Sequence, residues 1–330
     1  MTVNINVAKE KRLAFDEILV ELSRLEIRGI RVNFAKVELD EMMAYGEKIL
    51  QYLVKYKKRF EFIFDVPFPT SKIRVISADT TTIKKGDRYI LTSNKHCYEK
   101  NTLVTSGSFS EISCENKTIY YGDGEGGFTV NKRFADGSYE IIAENSFNIL
   151  LNRAITCGVS EHDDMRIMNS IIDMCDSYDV RCMYAFSFVE NEKYISSYYN
   201  RISGIISKIE TQKGVDFLPN IVKFSDGIMI ARGDLALFAD HINLLKNIDI
   251  ISQAAKSSKK RLFVATDLLK SMRNRLMPSR SDLVDISYMA HIGISDVILS
   301  DDFSTAEAMS KLEHIVKLIK RISDIYSKEI

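Results

Sequence analysis

The sequence contains no tryptophan and only five cysteines in 330 residues. The lack of tryptophan says little about function. The cysteines are odd in number and include no Cys-x-x-Cys pair, which argues against a disulfide framework and a thiolate zinc site. No apolar run is long enough to span a membrane, and the N-terminal residues MTVNINVAKEKRLAF lack the apolar core of a signal peptide. We therefore expect a cytoplasmic protein with reduced thiols and no membrane partner.

An excess of charge of one sign is also missing, since 45 Lys and Arg residues balance 45 Asp and Glu residues. A net charge of zero gives no reason to expect nucleic acid as a partner. Apolar residues make up 45% of the chain and charged residues 27%, as in ordinary globular proteins. The length suffices for one barrel of ordinary size and a small insert.

Short apolar runs rich in β-branched residues alternate with amphipathic helical stretches. The predicted strands cover residues 3–8, 29–34, 60–65, 180–188, 203–210, 226–234, 261–267 and 295–302. The longest predicted helices cover residues 15–26, 39–56, 161–178 and 304–323. Continuous apolar strands suit a parallel sheet that is covered on both faces. Eight strands, each followed by a helical stretch, predict an α/β fold of the TIM (β/α)8 barrel type.

The pattern changes between about residues 74 and 150, where no convincing helix is present. The stretch VISADTTTIKKGDRYILTS alternates apolar and polar residues, and Gly, Asp and Asn separate such stretches. This alternation is typical of antiparallel hairpins and predicts a small β domain inserted after the third strand. We expect residues 1–74 and 151–330 to form the barrel and residues 75–150 the inserted domain.

Polar side chains stand at the C-terminal ends of the predicted strands, where the active sites of such barrels lie. They are Arg31, Asn33, Asp65, Ser187, Lys208, Glu210, Asp234, Thr266 and Ser300. An Asp or Ser at a strand end can equally cap the next helix. Capping does not explain Lys208 and Glu210, which are two residues apart and so point to one face of their strand.

Glu210 and Asp234 end consecutive strands. Two carboxylates at one rim suit Mg²⁺ or Mn²⁺, with substrate oxygens completing the coordination. The alternative is that one of them only pairs with Lys208 or Arg232.

The segments SKIETQKGV and SDGIMIARGDLA resemble pyruvate kinase in the order and spacing of their residues. Further segments resemble the same family in the same order, namely GIRVNFAK, DVPFPTSKIR, AFSF, ATDLLKSM followed by PSRSD, and VILSDD. The resemblance implies a barrel with an inserted lid domain. It also implies transfer of a phosphoryl group from phosphoenolpyruvate to ADP, giving pyruvate and ATP.

The resemblance further implies catalytic and metal-binding roles. Glu210 and Asp234 resemble the ligands of the divalent metal. Lys208 resembles the lysine that bridges the transferring phosphoryl group and stabilises the enolate. Arg31 resembles the arginine that grips the phosphate, and Thr266 the threonine on the proton-delivery side of the enolate carbon.

Substrate-binding roles are implied in the same way. Ser187 matches a polar residue of the phosphate pocket. The backbone of Ala231, Arg232 and Gly233, next to Asp234, resembles a turn that cradles the substrate carboxylate at a helix start. On the nucleotide side the resemblance implies Arg31 again, together with Arg74 and with Lys36, which stands where the family has His.

The monovalent-cation site of the family has lost two oxygen-bearing side chains in this sequence. Asn33 and Asp65 are present, but Ala35 and Val66 stand where a Ser and a Thr are expected. These losses argue against bound K⁺. Family members with a lysine at the position of Lys72 tend not to need K⁺, since its ammonium can substitute for the ion.

Other departures fall mostly on the nucleotide side. Gly122 replaces an Asp of the lid turn, Glu190 stands where an Arg follows the fourth strand, and the last loop reads SDDFST. We expect no counterpart of the C-terminal effector domain of the family after the last helix. We therefore expect no sugar-phosphate allostery of the usual kind. The resemblance is compatible with a homodimer whose interface is formed by the barrel.

Three hypotheses follow. The first is a pyruvate-kinase-like phosphotransferase that uses phosphoenolpyruvate, a divalent metal, and ADP or another acceptor. The second is a metal-dependent lyase or aldolase of the phosphoenolpyruvate/pyruvate barrels, against which the retained Arg31 and lid argue. The third is a catalytically silent phosphoenolpyruvate-binding homologue, against which the retained charges of Lys208, Glu210 and Asp234 argue.

Overall fold

The computed structural model of this chain describes residues 1–7, 20, 22, 24–33, 39–56, 60–66, 72–95, 100–107, 118–151, 153–156, 166–178, 182–300, 303 and 306–327. The chain divides into two compact units. One comprises Met1–Phe68 with Met165–Ile330, and the other comprises Pro69–Asp164.

The described strands, in chain order, are β1 (Thr2–Val7), β2 (Ile27–Asn33), β3 (Glu61–Val66), β4 (Lys72–Ala78), β5 (Thr82–Ile83), β6 (Arg88–Thr92), β7 (Thr102–Thr105), β8 (Thr118–Tyr121), β9 (Gly126–Arg133), β10 (Tyr139–Ala143), β11 (Phe147–Asn148), β12 (Ala154–Thr156), β13 (Met183–Phe186), β14 (Ile205–Ile209), β15 (Gly227–Ala231), β16 (Arg261–Ala265) and β17 (Asp296–Leu299).

The described α-helices are α1 (Leu39–Tyr56), α2 (Arg166–Ser177), α3 (Lys193–Tyr199), α4 (Gln212–Asp216), α5 (Leu218–Ile221), α6 (Arg232–Phe238), α7 (Leu244–Ser257), α8 (Arg280–His291) and α9 (Ala306–Ser327). Short 3₁₀ helices cover Val222–Phe224, His241–Asn243 and Lys270–Arg273. Among these helices, none combines the length and the apolar character that a membrane crossing needs.

The first unit is built around a closed barrel of eight parallel strands, in the order β1-β17-β16-β15-β14-β13-β3-β2. Pairing of β1 with β2 closes the ring. The predicted α/β barrel is therefore confirmed. Strand β13 ends at Phe186, two residues before its predicted end, because Phe188 has a φ of 51°, which an extended strand does not allow.

The barrel separates two apolar cores. The larger lies between the strands and the surrounding helices. The smaller consists of inward-facing strand residues, namely Ile63, Met183, Ala185, Ile206, Met229, Phe263, Ala265 and Ile298. Because alternate residues of a strand face the same side, bulky apolar groups at every second position fill the barrel interior.

A charged group closes the N-terminal end of this interior. The Arg261 guanidinium donates from Nε and Nη2 to the two carboxylate oxygens of Asp296, at 3.1 and 2.8 Å. Its Nη1 donates to Glu61 Oε1, at 2.7 Å, on strand β3 at the opposite side of the ring. The guanidinium also lies 4.7 Å from the ring centroid of Phe263. Arg261 thus ties opposite walls of the barrel together below the apolar core.

The second unit contains a closed sheet of seven strands, in the order β10-β6-β7-β4-β12-β8-β9, and a two-stranded sheet of β5 and β11. Its own apolar core includes Tyr121 and Phe128. Most pairs are antiparallel, as the alternation predicts, but β6 and β7 are parallel. Strands β4 and β12 pair in this sheet and belong to the unit Pro69–Asp164.

We predict that Arg261→Met lowers the free energy of unfolding by about 3 kcal/mol, because it removes the guanidinium that forms a bidentate pair with the buried Asp296 carboxylate. Urea denaturation followed by circular dichroism measures the change. The control is Arg201→Ala, which removes an exposed pair with Asp173 and is expected to cost less than about 1 kcal/mol. Equal losses in the two variants would contradict the structural role of Arg261.

Candidate active site

The apolar interior of the barrel ends in a layer of polar side chains at the C-terminal ends of its strands. Ile63, Ala185 and Ile206 belong to the inner core, and the next inward position lies two residues further along each strand. Those next positions hold Asp65, Ser187 and Lys208. The alternation that fills the barrel therefore also delivers these polar groups to one place.

The Lys208 ammonium lies among three oxygen atoms. Its Nζ donates to Ser187 Oγ at 2.8 Å and to Asp65 Oδ1 at 3.3 Å, and it lies 3.2 Å from Glu210 Oε1. Lys208 itself is only 7% exposed. The contact between Lys208 and Glu210 agrees with the prediction that both side chains point to the same face of their strand.

Burial alone would lower the pKa of Lys208, because a low-dielectric surrounding disfavours the charged form. The carboxylates of Asp65, Glu210 and Asp234 outweigh that effect, and the pKa of Lys208 lies above its usual value. Lys208 is therefore a fixed cation at neutral pH.

Asp65 is shared between two cations. The Arg31 guanidinium donates to Asp65 Oδ2 from Nε, at 2.8 Å, and also from Nη2, while Lys208 takes Oδ1. Burial would raise the pKa of Asp65, but the charges of Arg31 and Lys208 hold it below its usual range. Both carboxylate oxygens are thus engaged by side chains of the chain itself.

We predict that Asp65→Asn destabilises the protein by about 3 kcal/mol at neutral pH, because Arg31 and the buried Lys208 lose the carboxylate that they share. The ionised form of Asp65 contributes stability above its unfolded pKa of about 3.9, and this stability is lost as the pH falls through the lower folded value. The difference between wild type and variant should therefore shrink below about pH 4. Urea denaturation at a series of pH values measures it, and a difference that does not change with pH would contradict the assignment.

Glu210 and Asp234 supply the carboxylates expected for a divalent cation. Glu210 is 1% exposed and accepts a hydrogen bond on Oε2 from the backbone N–H of Phe188, at 2.6 Å. Asp234 lies in the first turn of α6, directly after β15, which is the neighbour of β14. Its charge reaches Lys208, since it contributes to the raised pKa of that lysine.

These donors fit Mg²⁺ or Mn²⁺. No cluster of three or more His, Cys, Asp or Glu residues suited to a metal occurs in the described part of the chain. Two carboxylates with the remaining positions left to substrate oxygens and water is the usual protein contribution to a magnesium site.

Arg232 and Thr266 form a second group at this end of the barrel. Arg232 donates from Nη2 to the backbone oxygen of Thr266, at 2.6 Å, and from Nη1 to Asp285 Oδ1 on α8, at 2.5 Å. Thr266 has a φ of 79°, which is strained for a β-branched residue. A Cβ on Gly233 would lie 3.1 Å from Thr266 Cγ2, so the two residues are packed closely.

Three of the predicted residues lie in the second unit or outside the described residues. Arg74 and Lys72 lie on β4 in the second unit, where the backbone N–H of Arg74 donates to Ser106 Oγ at 2.9 Å. Lys36 falls in 34–38, outside the described residues, as does Ala35. Asn33 ends β2, where its Cα pairs with that of Asp65.

One departure noted in the sequence, at Glu190, has structural partners. Glu190 accepts a hydrogen bond from Thr211 Oγ1 at 2.8 Å and pairs with Lys213 at 3.1 Å. Asp282 forms a capping box with Ser279 at the start of α8. The contacts of Lys213 and Asp285 could not be predicted from the polar strand ends, because both residues lie in helices.

The family model described as "Pyruvate kinase, barrel domain" matches residues 12–309 of this chain. The chain belongs to the pyruvate kinase family. Its similarity to curated pyruvate kinases confirms the resemblance seen in the two motifs.

Individual members of the pyruvate kinase family match almost the whole chain at low identity. The pyruvate kinase of Thermoplasma acidophilum is 26% identical over 329 residues, which cover 95% of this chain and 56% of that protein. The pyruvate kinase of Thermotoga maritima is 24% identical over 95% of this chain and 68% of its own length. That of Methanocaldococcus jannaschii is 24% identical over 92% and 66%. The chain thus spans about half to two thirds of the length of these pyruvate kinases.

Proposed function

We propose that this chain is a pyruvate-kinase-like phosphotransferase that uses phosphoenolpyruvate and a divalent cation. The observation that carries the proposal is the buried Lys208 ammonium, which Asp65, Ser187 and Glu210 hold in one position. A fixed cation in a site of low dielectric stabilises negative charge that develops on a transferring phosphoryl group and on an enolate oxygen.

The other residues at the strand ends would bind the divalent cation and the phosphoryl group. Glu210 and Asp234 would hold Mg²⁺ or Mn²⁺, which would supply further positive charge to the substrate oxygens. Arg31, beside Lys208 on the shared Asp65, would contact the phosphoryl group, and Ser187 would line its pocket.

The second group would hold the other end of the substrate. The backbone of Ala231, Arg232 and Gly233 would bind the substrate carboxylate next to Asp234. Thr266, held through its backbone oxygen by Arg232, would lie on the side from which the enolate carbon takes its proton.

The acceptor in this proposal is ADP or another small molecule with a nucleophilic oxygen. The bond from phosphorus to the enol oxygen breaks as a bond from phosphorus to the acceptor oxygen forms, and a proton added to the enolate carbon gives pyruvate. Arg74 and Lys36, with Arg31, are the proposed nucleotide contacts, and the unit Pro69–Asp164 is the proposed lid.

The test is a coupled assay of pyruvate formation with Mg²⁺, phosphoenolpyruvate and a panel of nucleoside diphosphates and small alcohols. We predict that Lys208→Ala lowers kcat by at least about 100-fold, because it removes the fixed cation from the transition state. The control is Lys317→Ala, which removes an exposed cation that pairs with Glu313 on α9 and should leave the rate unchanged.

No phosphoryl transfer to any acceptor by the intact protein would overturn the proposal. Binding of phosphoenolpyruvate without turnover would then favour a silent binding homologue. Detritiation of labelled pyruvate without nucleotide, with condensation onto an aldehyde, would favour a lyase or aldolase.

We also predict that the activity does not depend on K⁺, because Arg31 and Lys208 already engage both oxygens of Asp65. Replacing K⁺ by tetramethylammonium at constant ionic strength, which leaves the screening of exposed charges unchanged, should change kcat/KM by less than about two-fold. A large loss of activity that K⁺ alone restores would show that the ion displaces Arg31 or Lys208 from Asp65.

A further inference from the structure

The segment from Ser187 to Glu190, which follows β13, touches both charged groups at the end of β14. Ser187 Oγ accepts from Lys208 Nζ, and the N–H of Phe188 donates to Glu210 Oε2 at 2.6 Å. The N–H of Val189 donates to the backbone oxygen of Lys208 at 3.2 Å. The position of Glu210 therefore depends on the conformation of this segment.

That conformation is not one the backbone adopts by itself. Phe188 has a φ of 51°, in the left-handed region, which is sterically unfavourable for an L-residue. Such a residue persists only where its surroundings fix it. The Phe188 side chain is buried and lies edge-to-face on Phe238, with ring centroids 5.5 Å apart, which holds one end of the segment.

Glu190 holds the other end. Its Oε1 accepts from the hydroxyl of Thr211 at 2.8 Å, and its Oε2 lies 3.1 Å from Lys213 Nζ. Thr211 is buried, follows Glu210 directly, and accepts from the N–H of Gly214 as the N-cap of α4. The Thr211 hydroxyl thus connects Glu190, the start of α4 and the residue next to Glu210.

The segment and α4 are in direct contact as well. A Cβ on Gly214 would lie 2.8 Å from the backbone oxygen of Val189, so no side chain fits between them. Movement of Glu190 away from Thr211 would free both the segment and the turn that carries Glu210.

We infer that Glu190 is a positioning residue, which through Thr211 and the segment 187–190 fixes the Glu210 carboxylate for a divalent cation. This inference rests on the proposed function, since Glu210 is there the metal ligand. Groups that orient a metal ligand without touching the metal typically contribute about 10- to 100-fold to its affinity.

The test measures Mn²⁺ binding by electron paramagnetic resonance in the full chain. We predict that Glu190→Ala weakens binding by about 10-fold, while Glu190→Gln, which retains an oxygen for the Thr211 hydroxyl, stays within about 3-fold of wild type. Lys213→Ala removes only a half-exposed partner and should also stay within about 3-fold. The matched control is Glu313→Ala, which removes a carboxylate from an exposed lysine pair on α9.

Wild-type affinity in Glu190→Ala would overturn the inference. So would equal losses in Glu190→Ala and Lys213→Ala, because the ion pair rather than the Thr211 hydrogen bond would then matter. Thermal denaturation separates a general loss of stability from the loss of positioning, since Glu190→Gln should restore affinity even where it does not restore the melting temperature.

Hydrogen exchange gives a readout that does not need the metal. The N–H of Phe188 is protected by Glu210, so a peptide covering residues 187–192 should exchange faster in Glu190→Ala than in wild type or Glu190→Gln. If the wild type bound no Mn²⁺, the metal site of the proposed function would fail, while unchanged exchange in Glu190→Ala would still overturn the role of Glu190.

Discussion

The buried ammonium of Lys208 sets the conditions for the rest of the site. A cation with so little contact with water stays charged only where anions surround it, and here Asp65 and Glu210 do so. Asp65 in turn is shared with Arg31. Each charge at these strand ends is therefore held by its neighbours, and a substitution at one of them changes the surroundings of the others.

The barrel places this cluster by the same alternation that packs its interior. The side chains that point into the barrel form three layers along its axis. The N-terminal layer is charged and contains Arg261, and the middle layer is apolar and contains Ile63 and Ile206. The C-terminal layer is polar and contains Asp65 and Lys208. At the first layer Arg261 meets Asp296 in a bidentate pair, which suits stability. At the C-terminal layer, a serine and further carboxylates surround the cation, and these groups can also bind a substrate.

The barrel and the charged strand ends could be predicted because both follow from local patterns, namely apolar strands and a Lys and Glu two residues apart. The early end of β13 could not, since nothing in AFSFVE indicates a left-handed Phe188. The pairing of Glu190 with Thr211 and Lys213 was equally hidden, because these residues are more than twenty positions apart. The parallel pairing of β6 with β7 could not be predicted either, because the alternation of apolar and polar residues does not show the direction of a strand.

The bond between Arg261 and Glu61 joins residues two hundred positions apart along the chain. Glu61 lies before the unit Pro69–Asp164, and Arg261 follows it. At about 5–20 residues per second, a ribosome needs on the order of ten seconds or more to make the stretch between them. During that time β1 has no β17 with which to close the ring. Contacts of such long range slow folding, so nascent chains have a period in which open strand edges favour association with one another.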